Sequence, residues 1–224
     1  MPTPPNLLND DGTASMATAL MMSHHAFRRD LRRFLAALDQ PTLATPQTEA
    51  LREEWQSFHA SLHGHHEAED HGMFPNMRAQ GEGVARVIDG LSADHRRIDP
   101  LLERGDQAFG ALDGSRAEAL AIVQELKTLL DPHLATEEAE LIPFIRDAKQ
   151  FPAPPTDADA EMYAKGFAWA MHGVAPAVLE QVYTMLPEAL LSKLPAARSA
   201  FAARYERVWG KLPTGAALTP IPDV

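Results

Sequence analysis

Two stretches of this chain carry the same spaced set of side chains. Residues 65–75 read HHEAEDHGMFP and residues 133–143 read HLATEEAELIP. His65, Glu69, Asp70, Phe74 and Pro75 are matched by His133, Glu137, Glu138, Ile142 and Pro143 at a constant offset of 68 residues. A His and a Glu four residues apart share one face of a helix. Two such helices facing each other present two imidazoles and two carboxylates to a common interior. Charged side chains are seldom fully buried unless they are paired or bind metal. The duplicated His-x-x-x-Glu pair therefore points to a two-metal site.

Each repeat is preceded by one further inward-facing His. His24 and His95 both have apolar residues three and seven positions later, Phe27 and Leu31 in one case, Ile98 and Leu102 in the other, which places them on apolar stripes. The expected ligand set is His24, His65, Glu69, His95, His133 and Glu137, a pseudo-two-fold shell around two ions about 3–4 Å apart. Imidazole suits iron, zinc, copper and nickel, and carboxylates add hard oxygen donors that can bridge. Four imidazoles and two bridging carboxylates give about eight bonds, short of the roughly twelve that two octahedral ions take. The shortfall leaves room for a bridging oxygen and a small ligand.

Other polar residues have plainer readings. His25 shares a face with Arg28, Arg29 and Arg32 and is expected to be solvated. His59, His63, His66 and Asp70 form a second stripe beside the apolar one, read as a polar flank at a bundle mouth. The sharper alternative makes His66 or Asp70 an extra ligand or an outer hydrogen-bond partner. Asp70 and Glu138, each following a candidate ligand, read as outer partners or surface acids. His71 and His172 have no supporting spacing. Asp99 lies four residues after His95 on the same face, so it either binds metal or holds a water or a His ring. The second role is favoured because Pro100 follows and distorts the helix.

Helices must position these residues. The first is expected over Ala14–Leu38, with Leu20, His24, Phe27, Leu31, Phe34 and Leu38 inward. The second opens at Thr45-Pro46, read as an N-cap followed by Pro at the first helical position, and carries Leu51, Trp55, Phe58, Leu62, His65 and Glu69. After Gly81 and Gly83, the third covers Glu82–Leu112 with Ile88, Leu91, His95, Ile98 and Leu102 inward. The fourth opens on the capping box Ser115-x-x-Glu118 and carries Ile122, Leu126, Leu130, His133 and Glu137. The expected fold is all-α: an antiparallel up-down-up-down four-helix bundle over residues 14–150, a Pro-rich linker over 151–156 and a C-terminal helical extension over 157–212. Pro75, Pro100, Pro132 and Pro143 should each interrupt or kink a helix.

Composition narrows the chemistry. The chain of 224 residues contains no Cys, so thiolate zinc sites, iron–sulfur clusters and disulfides are excluded and any metal rests on His and carboxylate. Its formal net charge of −11 argues against nucleic acid as a partner. No run of about 18 apolar residues exists, so no transmembrane segment is expected. The start, MPTPPNLLNDDGT, lacks the basic and apolar regions of a signal peptide, and the expected location is cytoplasmic.

Taken together, HHAFRRDL with His24, HHEAEDHGMFP with His65 and Glu69, ADHRRIDPLL with His95, and HLATEEAELIP with His133 and Glu137 resemble the hemerythrin-like, or HHE cation-binding, domains over about residues 14–150. The resemblance implies a four-helix bundle around two iron ions in a non-haem, carboxylate-bridged Fe-O-Fe or Fe-OH-Fe centre, with zinc or manganese able to substitute. Oxygen-carrying hemerythrins have five His, including a pair four apart on the third helix, where this chain has Asp99. They also place an Asp five after the last His, where this chain has Glu137 four after His133. The chain is thus similar to a four-His, two-Glu branch, for which oxidative reactivity or sensing is expected over reversible oxygen carriage.

The leading expectation is a di-iron protein that binds or reduces O2, H2O2 or NO, in oxidative or nitrosative stress or in iron handling. If it is an enzyme, it is a di-iron oxidoreductase. One alternative is an oxidase or oxygenase with Trp169, Met171, Tyr183 and Met185 roofing an organic substrate. Another is a metal or oxygen sensor. A homodimer through the C-terminal helices is a further expectation.

Overall fold

The computed structural model describes residues 6–114 and 116–210. All regular structure among them is helical, with no strand among the described residues, so the chain is of the all-α class. No helix among the described residues is long and apolar enough to cross a membrane. In chain order the helices are α1 (Met16–Leu38), α2 (Thr45–Ala68), α3 (Phe74–Met77), α4 (Glu82–Gly110), α5 (Ala117–Glu140), α6 (Ile142–Ile145), α7 (Asp157–Ala170), α8 (Pro176–Met185), α9 (Glu188–Leu191) and α10 (Leu194–Trp209). The described residues form two compact units. One holds 27–114, 116–140 and 207–210, and the other holds 6–26 and 141–206.

The first unit is built on aromatic rings at helical spacing. Trp55 of α2 is fully buried and stacks on Phe109 of α4, with centroids 4.4 Å apart and planes 10° apart. Phe34 of α1 meets Trp55, Phe58 and Phe109 edge-on at 5.3–5.7 Å. Edge-to-face and offset-stacked pairs add to the area burial that drives this packing. The indole N–H of Trp55 donates to Asp106 Oδ1 at 2.9 Å. Gly105 lets α4 approach: a Cβ there would lie 1.9 Å from Trp55 Cζ2.

Helix ends follow local chemistry, with corrections to the expected caps. Thr45 is the first residue of α2 rather than its cap. The N-cap is Ala44, which makes no side-chain cap hydrogen bond, and Pro46 occupies the first turn. Ser115, half of the expected capping box of α5, lies outside the described residues. Arg116 instead ties the entry to α5 to the α1–α2 turn, donating to the carbonyls of Leu38, Gln40 and Pro41.

The prolines divide into two kinds. α4 and α5 continue through Pro100 and Pro132. Before Pro75 the α-helix gives way to a π-helical turn, Glu69–Met73, and before Pro143 α5 stops at Glu140. Each of these prolines then sits in the first turn of a new short helix, α3 or α6, where its missing N–H costs nothing. Glu69 and Glu137 therefore both lie at the last turn before a break.

In the second unit, Arg146 reaches the carbonyls of Asn6 and Leu8 at 3.0 and 3.3 Å. Thr18 donates to the Leu7 carbonyl at 2.6 Å. A reciprocal capping box between Thr156 and Asp159 starts α7. Trp169, Met171 and Met185 are buried side chains of this unit.

Candidate metal centre

Three helices of the first unit carry two groups of metal-capable side chains. The last turn of α2 supplies His65 and His66, and Glu69 opens the π turn that follows. Such single π turns recur at functional sites. α4 supplies His95, and α5 supplies His133 and Glu137. His66, Glu69, His95, His133 and Glu137 are all buried, at no more than 2% exposure, which is costly for ionisable groups unless something compensates.

The first group is all nitrogen: His66, His95 and His133 each offer a ring nitrogen, and these lie within 4.8 Å of one another. In the second, donor atoms of His65, Glu69 and Glu137 lie within 4.8 Å of one another. The carboxylates link the two groups. Glu69 has Oε1 at 2.9 Å from His65 Nε2 and Oε2 at 3.5 Å from His95 Nε2. Glu137 Oε2 lies 3.9 Å from His133 Nε2. Burial, and then the facing Glu137 carboxylate, hold the Glu69 carboxyl well above its usual range.

Outer hydrogen bonds fix the rings. His95 Nδ1 and Asp70 Oδ2 are 2.8 Å apart, and Ser92 donates to Asp70 Oδ1 at 2.6 Å. His66 Nδ1 and Asp99 Oδ1 are 2.8 Å apart. Partial burial raises both aspartates, but the Ser92 and His95 contacts at Asp70, and the His66 contact at Asp99, outweigh it and hold both below the usual carboxylate range. Ionised aspartates accept, so each imidazole donates its Nδ1–H and turns the Nε2 lone pair inward. Those Nε2 atoms, on His66 and His95, are buried and make no hydrogen bond. This is the tautomer that binds metal, with a carboxylate behind it. Buried lone pairs and facing carboxylates, with no thiolate, fit a nitrogen- and oxygen-liking cation such as iron, zinc or manganese.

His24 is fully buried on α1. It stands one helical turn before Phe27, whose ring is 5.3 Å from that of His65. Asp70 and Asp99 act as acceptors behind His95 and His66 and belong to neither donor group. Two expectations are corrected. His25 is buried, not solvated: in its own unit a Cβ on Gly173 would be 3.7 Å from its Nε2. Arg29, expected on the same wet face, is buried with Arg33 around Asp30, at 2.8 and 3.0 Å, since paired charges can leave water. Glu138 meets Arg28 at 2.6 Å. His63 is half exposed and His71 mostly exposed. His172 packs on Tyr205 at 4.4 Å. His66 lies buried in the interior, not on a polar flank. The sequence signal was the Asp four residues after His95, in reach of α2.

No curated protein and no solved structure matches the chain. Residues 15–149 match the family described as the Hemerythrin HHE cation binding domain.

Proposed function

The chain belongs to the hemerythrin HHE cation-binding family, and on that premise we propose that it holds two iron ions and binds or reduces a small oxidant, O2, H2O2 or NO. The observation that carries this reading is the Glu69 carboxylate, buried with one oxygen toward His65 and the other toward His95, the disposition of a bridge. His65, Glu69, His95, His133 and Glu137 would hold the ions, with His24 as the imidazole from α1. Short turns between α1 and α2 and between α4 and α5 support an antiparallel up-down-up-down arrangement.

When bound, iron supplies reversible electron transfer and exchangeable positions for a small ligand. The chain's own residues do the rest. Asp70 holds the Nδ1 proton of His95, and Asp99 holds that of His66, so neither ring can rotate or switch tautomer freely. Phe74 stacks at 5.8 Å on His95 and Phe27 packs against His65. These rings exclude water and bulk, which favours a diatomic or peroxide-sized ligand.

The test is anaerobic loading with Fe(II), metal analysis, then exposure to each oxidant under absorption and Mössbauer spectroscopy. Two iron equivalents and a spectral change with at least one oxidant are expected. Glu69→Ala and Glu137→Ala should each lose much of the metal. Two full equivalents in either variant would contradict the bridging role, and no response to any oxidant would sink the functional reading.

A further inference from the structure

We propose that His66 is a fifth imidazole ligand, so that one ion is held by three ring nitrogens, from His66, His95 and His133, with Asp99 as the positioning residue that aims His66. This rests on the two-metal reading above and makes that site asymmetric.

The argument starts from the repeat. At the 68-residue offset, His66 corresponds to Leu134. The two halves of the duplication therefore differ at this point, and only the first half places two adjacent histidines. Successive helical residues point about 100° apart, so the two rings serve different groups. His65 turns Nε2 to Glu69 Oε1, and His66 lies with His95 and His133.

A buried histidine is ordinarily satisfied at both nitrogens. His66 is satisfied at one only: Nδ1 meets Asp99, and the buried Nε2 makes no hydrogen bond. Leaving a buried polar atom unpaired is unfavourable, and a metal bond would remove that cost. The ring also lies parallel to His95, with centroids 4.0 Å and planes 14° apart. Each of these stacked rings has an aspartate on Nδ1, so their Nε2 lone pairs are presented side by side. Three nitrogens from three helices within 4.8 Å suit one transition-metal ion. Asp99, four residues after His95, thus supplies through His66 the imidazole that its own position on α4 lacks.

The test titrates the metal-free full-length protein with Fe(II) and, separately, Zn(II) against a competing chelator. It compares the native chain with His66→Leu, which copies the other repeat, with His66→Gln and with Asp99→Asn. Far-UV circular dichroism confirms that each variant folds. The expected result is that one of two metal equivalents weakens, by about 10–100-fold for Asp99→Asn and by more for His66→Leu, while the other holds. In the Mössbauer spectrum of the Fe(II)-loaded protein, one of two quadrupole doublets should shift. In a further variant, His66→Ala, checked for folding in the same way, added imidazole should restore it. If both His66→Leu and His66→Gln bind two equivalents with native affinity and native spectra, the inference is overturned while the two-metal reading stands. If the native chain takes up no metal, both fall.

Discussion

Asp70 and Glu138 occupy equivalent places in the two repeats and do different work. Asp70 braces His95, whereas Glu138 pairs with Arg28 outside the donor groups. Asp70→Asn should lower metal affinity by about 10–100-fold, as loss of outer carboxylates does elsewhere, and leave the fold intact. Glu138→Gln should leave it within a few-fold. Chelator competition on both variants checks this, and equal losses would show that the two acids are interchangeable. The His-x-x-x-Glu spacing was legible because helical geometry alone puts those atoms together, and the structure does bring His65, Glu69 and Glu137 into one group and His95 with His133 into another. His66 and Asp99 were less legible. Their pairing joins α2 to α4 and depends on how those helices are rotated, which periodicity along one helix does not report. The burial of His25 and Arg29 has the same origin, since α1 is covered on faces that its own sequence marks as polar.

The helices were legible from their stripes and punctuation to within a few residues. What the sequence hid was close contact between elements. Gly105 shows no motif, yet it admits the Trp55 indole, which is locked by the Phe109 stack and the Asp106 hydrogen bond. Gly105→Ala should therefore destabilise the protein by about 1–3 kcal/mol through overpacking, although Ala is the better helix former by about 1 kcal/mol. Urea denaturation should show a lower midpoint, and a more stable variant would mean that Trp55 moves freely. The segment 6–13 carries a pH dependence. The hydrogen bond from Lys149, aided by Thr13, holds the Asp11 carboxyl far below its usual value. A depressed acid stabilises the fold above the ordinary aspartate range and loses that contribution as pH falls from that range down through the lowered value. The pair is exposed, so the effect is small and screened. Asp11→Asn should lower the melting temperature slightly at pH 7, and the gap should narrow near pH 3 and at about 1 M salt. A gap that widens on acidification would reverse the sign.

At the scale of the molecule, the second compact unit is assembled from residues 6–26 and 141–206. Its buried apolar side chains include Leu7, Leu8, Ala17, Met21 and Met22 as well as Val178, Val182 and Leu190. A chain stopped at residue 150 would retain every residue assigned here to metal binding but lack α7–α10. It should melt well below the full chain and bind an apolar dye, because each large apolar side chain left uncovered costs about 1.5–3 kcal/mol. Melting unchanged from the full chain would show that the first 150 residues stand alone. A unit made from both ends of a sequence also imposes a schedule. During synthesis, residues 6–26 are made first, yet their partners at 141–206 follow about 115–200 residues later, about 6–40 s at ~5–20 residues per second. Through that interval the start of α1, with His24 on it, waits uncovered beside a nascent chain. The first-made segment is therefore among the last to be covered, and this half of the fold closes only once nearly all of the described chain exists.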